Sequence, residues 1–206
     1  WSIKLACKTF FFLFIGHKIT LKNDSVGKMQ KGEKRMYLIN HSSIYDVILA
    51  YILPGASRFV IKDKWMKKPF VGWIQQLAGN VVVGEDKPEN HQIADGEPDS
   101  ITQTIKAFEQ EMPIIVFPEG TRSKNGNVMG EFHAGSFKSA QKAKCPIVPF
   151  VFIDSYHVLD KNGTEPMDVQ LHFLEPIPYE EYKPLKTPEL AAMVKERIQK
   201  VIDANT

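Results

Sequence analysis

Short apolar runs separated by stretches of helical spacing recur along most of this chain, and the alternation predicts an α/β domain. Met36-Tyr37-Leu38-Ile39 reads as a buried strand, followed by a helix over Val47-Ile48-Leu49-Ala50-Tyr51-Ile52-Leu53 that Pro54-Gly55 ends. Residues 17–23 alternate as a strand, 24–35 form a polar connection, and 57–62 give another short strand. Phe70, Val71, Ile74 and Leu77 have helical spacing, and Gly79 leads into a strand ending at Val83. Residues 84–99, with six acids, two prolines and two glycines, read as an exposed loop. Asp99-Ser100 caps an amphipathic helix carrying Ile101, Thr104, Ile105 and Phe108, which closes at Pro113. Ile114-Ile115-Val116-Phe117 is the next strand, residues 168–174 alternate as a late one, and Thr187-Pro188 opens a closing helix with Leu190, Met193, Val194, Ile198 and Val201 as its stripe.

Two turns at strand ends carry chemistry. In Asn40-His41-Ser42-Ser43-Ile44-Tyr45-Asp46 a histidine stands between strand and helix, at the carboxyl edge where open α/β sheets place ligands. Asp46, five residues on, is within reach of one ring nitrogen through a turn, which leaves the other nitrogen as a general base. On the residues alone an ordinary first-turn histidine with Asn40 as helix cap stands equally. In Pro118-Glu119-Gly120-Thr121-Arg122-Ser123 a tight turn projects Glu119, Thr121 and Arg122 from the same edge. Arg122 is suited to bidentate phosphate binding and nearby amides to a developing oxyanion; a surface Glu119–Arg122 ion pair is the plainer alternative.

Composition narrows the classes. The 206 residues are 43% hydrophobic, enough for one domain with a sizeable core. A net charge of +2 does not suggest nucleic acid, and two cysteines do not make a disulfide framework. No histidine has zinc-ligand spacing, so no metal is expected. Residues 1–16 pair Lys4 and Lys8 with six consecutive apolar residues from Phe10, too few to span a bilayer, which takes about 20. A core helix or the end of a spanning segment would fit, but consecutive phenylalanines cannot all face one core, so membrane contact is the reading adopted. Residues 62–69 set four lysines around Trp65 and Met66, which suits either an anionic membrane surface or a solvated basic turn with the tryptophan tucked inward.

Asn40-His41 with Asp46, followed downstream by Phe117-Pro118-Glu119-Gly120-Thr121-Arg122-Ser123, resembles the glycerolipid acyltransferase family, whose best-known members are the bacterial PlsC-type lysophosphatidic acid acyltransferases. Pro146-Ile147-Val148-Pro149 resembles the family's apolar strand linked to acyl or acceptor binding, and Phe132-His133-Ala134-Gly135-Ser136-Phe137 resembles its approach to the following helix. The resemblance covers about residues 17–180. It implies a glycerol-3-phosphate acyltransferase-like domain over residues 17–206, a mixed sheet flanked by helices, behind a membrane-contacting segment 1–16. It also implies acyl transfer from acyl-CoA or acyl carrier protein, without a further cofactor, to the sn-2 hydroxyl of a lysophosphatidic acid acceptor at the cytoplasmic face of the cell membrane. His41 is then the base and Asp46 its support. Glu119, Gly120, Thr121, Arg122, Asn40 and Lys62 bind the acceptor, and Pro146 to Pro149 line the pocket. One motif departs: where the family places an arginine after its glycine-led strand, this chain has Gly84-Glu85, so the second cation must come from elsewhere, with Lys62, Lys64 and Lys87 nearest in sequence. Competing readings are another lysolipid acceptor, a non-catalytic lipid-binding module, and a serine hydrolase using Ser42 or Ser43, which would lack a Gly-x-Ser-x-Gly elbow.

Overall fold

The computed structural model describes residues 18–22, 34–43, 45–50, 58–68, 80–83, 100–110, 112–156 and 168–206. These hold seven strands: β1 (Lys18–Lys22), β2 (Met36–Ile39), β3 (Arg58–Lys62), β4 (Val81–Val83), β5 (Ile114–Val116), β6 (Ile147–Ile153) and β7 (Asp168–Phe173). They form one sheet in the order β1-β7-β6-β2-β5-β3-β4. β6 and β7 run antiparallel and every other neighbouring pair is parallel. The expected mixed sheet flanked by helices is what the chain builds; the readings of 1–16 as a membrane-contacting segment, 70–78 as a helix and 84–99 as a loop fall outside the described residues.

β2 and β6 are buried along their whole length, as their unbroken apolar runs require of strands covered on both faces. Successive residues go to opposite faces: Met36 and Leu38 join one core with Ile114, Ile147 and Val151, while Tyr37 and Ile39 join another with Ile115, Val148 and Phe150. The helices in this part of the chain are α1 (Asp46–Ala50), α2 (Asp63–Met66), α3 (Ser100–Glu109), α4 (Lys138–Ala143), α5 (Tyr179–Tyr182) and α6 (Thr187–Asp203). Ala107 and Phe108 of α3 and Leu190, Val194, Ile198 and Ile202 of α6 cover the first face, and Ala50 of α1 packs on the second. Each phenylalanine, leucine, valine or isoleucine side chain among these contributes about 1.5–3 kcal/mol by leaving water. At the start of α6 Glu189 reaches back to accept the Lys186 N–H at 2.7 Å, which satisfies a donor the helix itself leaves open. The short α5 was not legible as a helix in the sequence.

Pro146 to Pro149 turn out differently from expectation. Ile147 and Val148 are fully buried within β6, one in each core, and Pro149 sits opposite Leu38 of β2. Ile147, Val148 and Pro149 are sheet interior rather than pocket lining, and Pro146 precedes the strand. Pro149 is tolerated in a central strand because it faces the end of β7: its carbonyl accepts the Leu174 N–H at 2.9 Å, and only one ladder bond is forgone there.

Candidate active site

Because β2, β3, β4, β5 and β6 are parallel, their carboxyl ends meet at one edge of the sheet. β2 is the middle strand and hands the chain to His41; β5 beside it hands over to Phe117 and Glu119; β3 ends at Lys62 and β6 leads to Asp154 and Ser155. The two turns singled out in the sequence are therefore neighbours in space.

The first turn is closed by Asp46. Its carboxylate, fully buried at the start of α1, points back so that Oδ2 accepts the N–H groups of Ser42 and Ser43, both at 2.7 Å. The same oxygen lies 2.9 Å from His41 Nδ1. An ionised carboxylate only accepts, so Nδ1 carries the proton and donates it, and Nε2 is left with a lone pair. Nε2 makes no hydrogen bond among the described residues, and the His41 side chain is 16% exposed. The Phe117 ring lies 4.4 Å from the imidazole, tilted by 32°, and is itself stacked on Phe59. It fixes the plane of the base, a role sequence reading missed although this aromatic directly precedes the second turn. Asp46 Oδ1 is buried without a hydrogen-bond partner among the described residues.

Glu119 does not stand where an acceptor-binding residue would. It is 3% exposed, and its two oxygens are taken by main-chain donors: Oε1 by the His41 N–H at 2.8 Å and Oε2 by the Gly130 N–H at 2.7 Å. Burial raises its pKa above the ordinary carboxylate value, against which the N–H groups of Gly130 and His41 pull it down. Glycine at 130 suits this close approach, since a β-carbon there would stand 3.1 Å from Glu119 Oε2 and press on it. The Ser123 N–H donates to the His41 carbonyl at 2.7 Å, so the backbone of the base is held on both sides by the second turn. With both oxygens occupied by main-chain donors, Glu119 braces the two turns against each other, and the alternative Glu119–Arg122 ion pair is not made among the described residues.

Asn40 is likewise committed elsewhere. Its amide donates to Phe152 O at 2.9 Å and accepts the Phe152 N–H at 2.8 Å, replacing a strand's own ladder bonds and locking β2 to β6 just before the histidine. The buried side chain therefore positions the turn and does not face a ligand. Ser42 and Ser43 are buried too: Ser42 Oγ shares a 2.8 Å hydrogen bond with Ser155 Oγ, and Ser43 Oγ accepts the Tyr45 N–H. Neither hydroxyl hydrogen-bonds to His41 among the described residues, as a hydrolase nucleophile would have to.

The remaining expected residues are on the open side of the edge. Gly120 adopts φ +63°, a conformation glycine enters without strain, and its N–H closes the turn onto Phe117 O at 3.0 Å. A β-carbon on it would lie 3.2 Å from His133 Nε2 and 3.9 Å from Lys62 Nζ, so Lys62 reaches across from β3 to this turn. Thr121 and Arg122 are exposed. Of the amides in the two turns, those of His41, Ser42, Ser43, Gly120 and Ser123 are already bonded, whereas those of Thr121 and Arg122 make no hydrogen bond among the described residues. Lys62 registers with Val83, the last residue of β4, so a cation stands beside the strand after which Glu85 follows. Glu85 itself is outside the described residues. Among those described, no group of histidine, cysteine and acidic side chains is arranged to hold a metal ion.

Comparison with known proteins agrees with this geometry. The chain is 27% identical over 206 residues to the 1-acyl-sn-glycerol-3-phosphate acyltransferase of Helicobacter pylori (strain J99 / ATCC 700824), covering 97% of this chain and 78% of that protein. It is 25% identical to the Cocos nucifera protein of the same name, covering 87% of this chain and 56% of the relative, so the chain spans about half the length of that plant protein. The crystal structure of the 1-acyl-sn-glycerophosphate (LPA) acyltransferase, PlsC, from Thermotoga maritima has the same fold, with a TM-score of 0.79 at 22% identity over 98% of this chain and 78% of that one. The family model described as Acyltransferase matches residues 20–153, a stretch that runs from β1 to the end of β6 and contains both turns, and the chain belongs to that acyltransferase family.

Proposed function

We propose that this chain transfers an acyl group from an acyl thioester to the sn-2 hydroxyl of 1-acyl-sn-glycerol-3-phosphate, giving phosphatidic acid. The observation that carries the reading is the 2.9 Å contact between His41 Nδ1 and Asp46 Oδ2 at the carboxyl edge of β2, which turns Nε2 into a base facing outward. The family and the shared name of the relatives supply the class of substrate.

The reaction follows from these atoms. His41 Nε2 takes the proton of the acceptor hydroxyl while its oxygen attacks the thioester carbonyl, and Asp46 stabilises the imidazolium that forms. The tetrahedral intermediate collapses, the C–S bond breaks, and the departing sulfur receives the proton from His41. No bond to the protein forms at any stage. The amides of Thr121 and Arg122, which make no hydrogen bond among the described residues, are donors for negative charge on substrate oxygens. Arg122 of this turn and Lys62, whose ammonium comes close to Gly120 from β3, grip the phosphate of the acceptor, Arg122 as a fork and Lys62 as a point charge. Lys62 thereby replaces the arginine expected after β4. Thr121 and Gly120 shape the floor of this pocket.

The reading also implies work at a membrane surface, since the acceptor is a lipid. No helix among the described residues is long and apolar enough to cross a membrane. The discriminating experiment is release of free thiol from palmitoyl-CoA by the purified chain, with and without lysophosphatidic acid. Release that depends on the acceptor, with phosphatidic acid as product, is expected. Release without acceptor would indicate a hydrolase, and no release with either CoA or acyl-carrier-protein donors would overturn the assignment.

A further inference from the structure

Residues 62–68 stand out because they carry large apolar side chains that the core does not use. α2 has no buried residue although its four positions include Trp65 and Met66, and Trp65 is 38% exposed. Lys64, Lys67 and Lys68 are exposed around it. The acid in the stretch, Asp63, pairs with Lys67 at 3.1 Å across solvent, a contact worth little by itself. The stretch itself carries four lysines and one carboxylate. Such a segment has no reason to expose a tryptophan to water, whereas tryptophan ringed by lysines is the composition suited to the head-group layer of a bilayer.

Position settles which partner fits. Lys62 ends β3 at the Gly120 turn, and Trp65 follows three residues later, so their α-carbons are within about 10 Å of each other. A lysolipid whose phosphate is held at that turn keeps its acyl chain in the bilayer, which places residues 62–68 at head-group depth.

We propose that the α2 turn, with Trp65 inserted and Lys64, Lys67 and Lys68 against anionic head groups, is a surface by which this domain docks on a lipid bilayer. The proposal rests on the acceptor being a lysolipid. An acidic protein partner would satisfy the lysines but gives the position of Trp65 beside the head-group turn no purpose.

The chain contains three tryptophans, so Trp1→Phe with Trp73→Phe makes Trp65 the sole reporter. In the full chain carrying both changes, vesicles of phosphatidylglycerol and phosphatidylcholine with brominated acyl chains should shift Trp65 emission to the blue and quench it. Adding Lys67→Gln and Lys68→Gln should weaken partitioning onto these vesicles about thirtyfold, at roughly fivefold per lysine, while acceptor-dependent thiol release on detergent-dispersed lysolipid is unchanged. Protein that sediments with the vesicles while Trp65 stays unquenched would overturn the proposal and leave the acyltransferase reading intact. So would a Trp65 response to acidic acyl carrier protein in place of vesicles. Absence of acceptor-dependent thiol release from the parent chain is the separate failure, that of the enzymatic reading.

Discussion

Glu119 Oε1 accepts the backbone N–H of His41 at 2.8 Å across 78 residues of sequence, which makes an acid of the second turn the brace for the base in the first. Its other oxygen is held by Gly130, so the carboxylate joins three segments of the chain. Glutamine at this position would turn its amide N–H groups toward one of two main-chain donors and leave that donor unpaired. Glu119→Gln should therefore cost about 1–3 kcal/mol of stability and lower kcat more than it raises KM. Urea midpoints and steady-state kinetics read the two effects, and an unchanged kcat in a folded variant would remove the bracing role.

The same carboxyl group sets a pH dependence. Burial raises its folded-state pKa above the ordinary 4.5, so between the two values the folded chain holds a proton that the unfolded chain has released. Stability contributed by this group is then greatest below the unfolded value, falls as pH rises through the window up to the folded pKa, and is constant beyond. Urea midpoints measured upward from pH 4.5 should show that decline in the parent chain and not in Glu119→Gln.

His41→Ala should abolish nearly all turnover, since a general base contributes about 10²–10⁴-fold. Asp46→Asn keeps an oxygen for the Ser42 and Ser43 N–H groups but removes the charge that supports the imidazolium. Turnover should fall by a similar factor with the fold intact by circular dichroism. Retention of more than about a tenth of turnover by His41→Ala would exclude it as the base.

No acyl-enzyme should accumulate. Ser42 and Ser43 are buried with their hydroxyls engaged, and burial pushes the Cys145 thiol up to about 12, where little thiolate exists. Acid-quenched protein incubated with radiolabelled palmitoyl-CoA alone should carry no label, and stoichiometric hydroxylamine-sensitive label would contradict direct transfer.

Arg122→Ala and Lys62→Ala should each raise KM for lysophosphatidic acid at least tenfold, corresponding to about 1.4 kcal/mol or more, with a smaller effect on kcat. Glu85→Ala should be nearly silent. A large gain in lysophosphatidic acid use by Glu85→Arg, with preference of the parent chain for a zwitterionic lysolipid, would reverse the assignment of Lys62 as the second cation.

The strands, the two strand-end turns and the pairing of His41 with Asp46 were legible in the sequence because each is local. An apolar run fixes a strand, and five residues of turn suffice to bring a carboxylate to an imidazole. The family itself was legible in the two turns for the same reason. What the sequence left undetermined is which polar side chains are spent inside the protein. Asn40, Glu119 and the run from Pro146 to Pro149 lie in or beside the recognised motifs and looked equally available to substrate. Only the placement of β6 and β5 on either side of β2 showed that Asn40 is consumed by Phe152, Glu119 by His41 and Gly130, and Ile147 and Val148 by the core. Lys62, already assigned to the acceptor from the resemblance, reaches Gly120 through the pairing of β3 with β5, which no local spacing gives. The reason is physical: buried main-chain donors have to find acceptors, and the partners that satisfy them are set by strand order, which residue spacing does not encode.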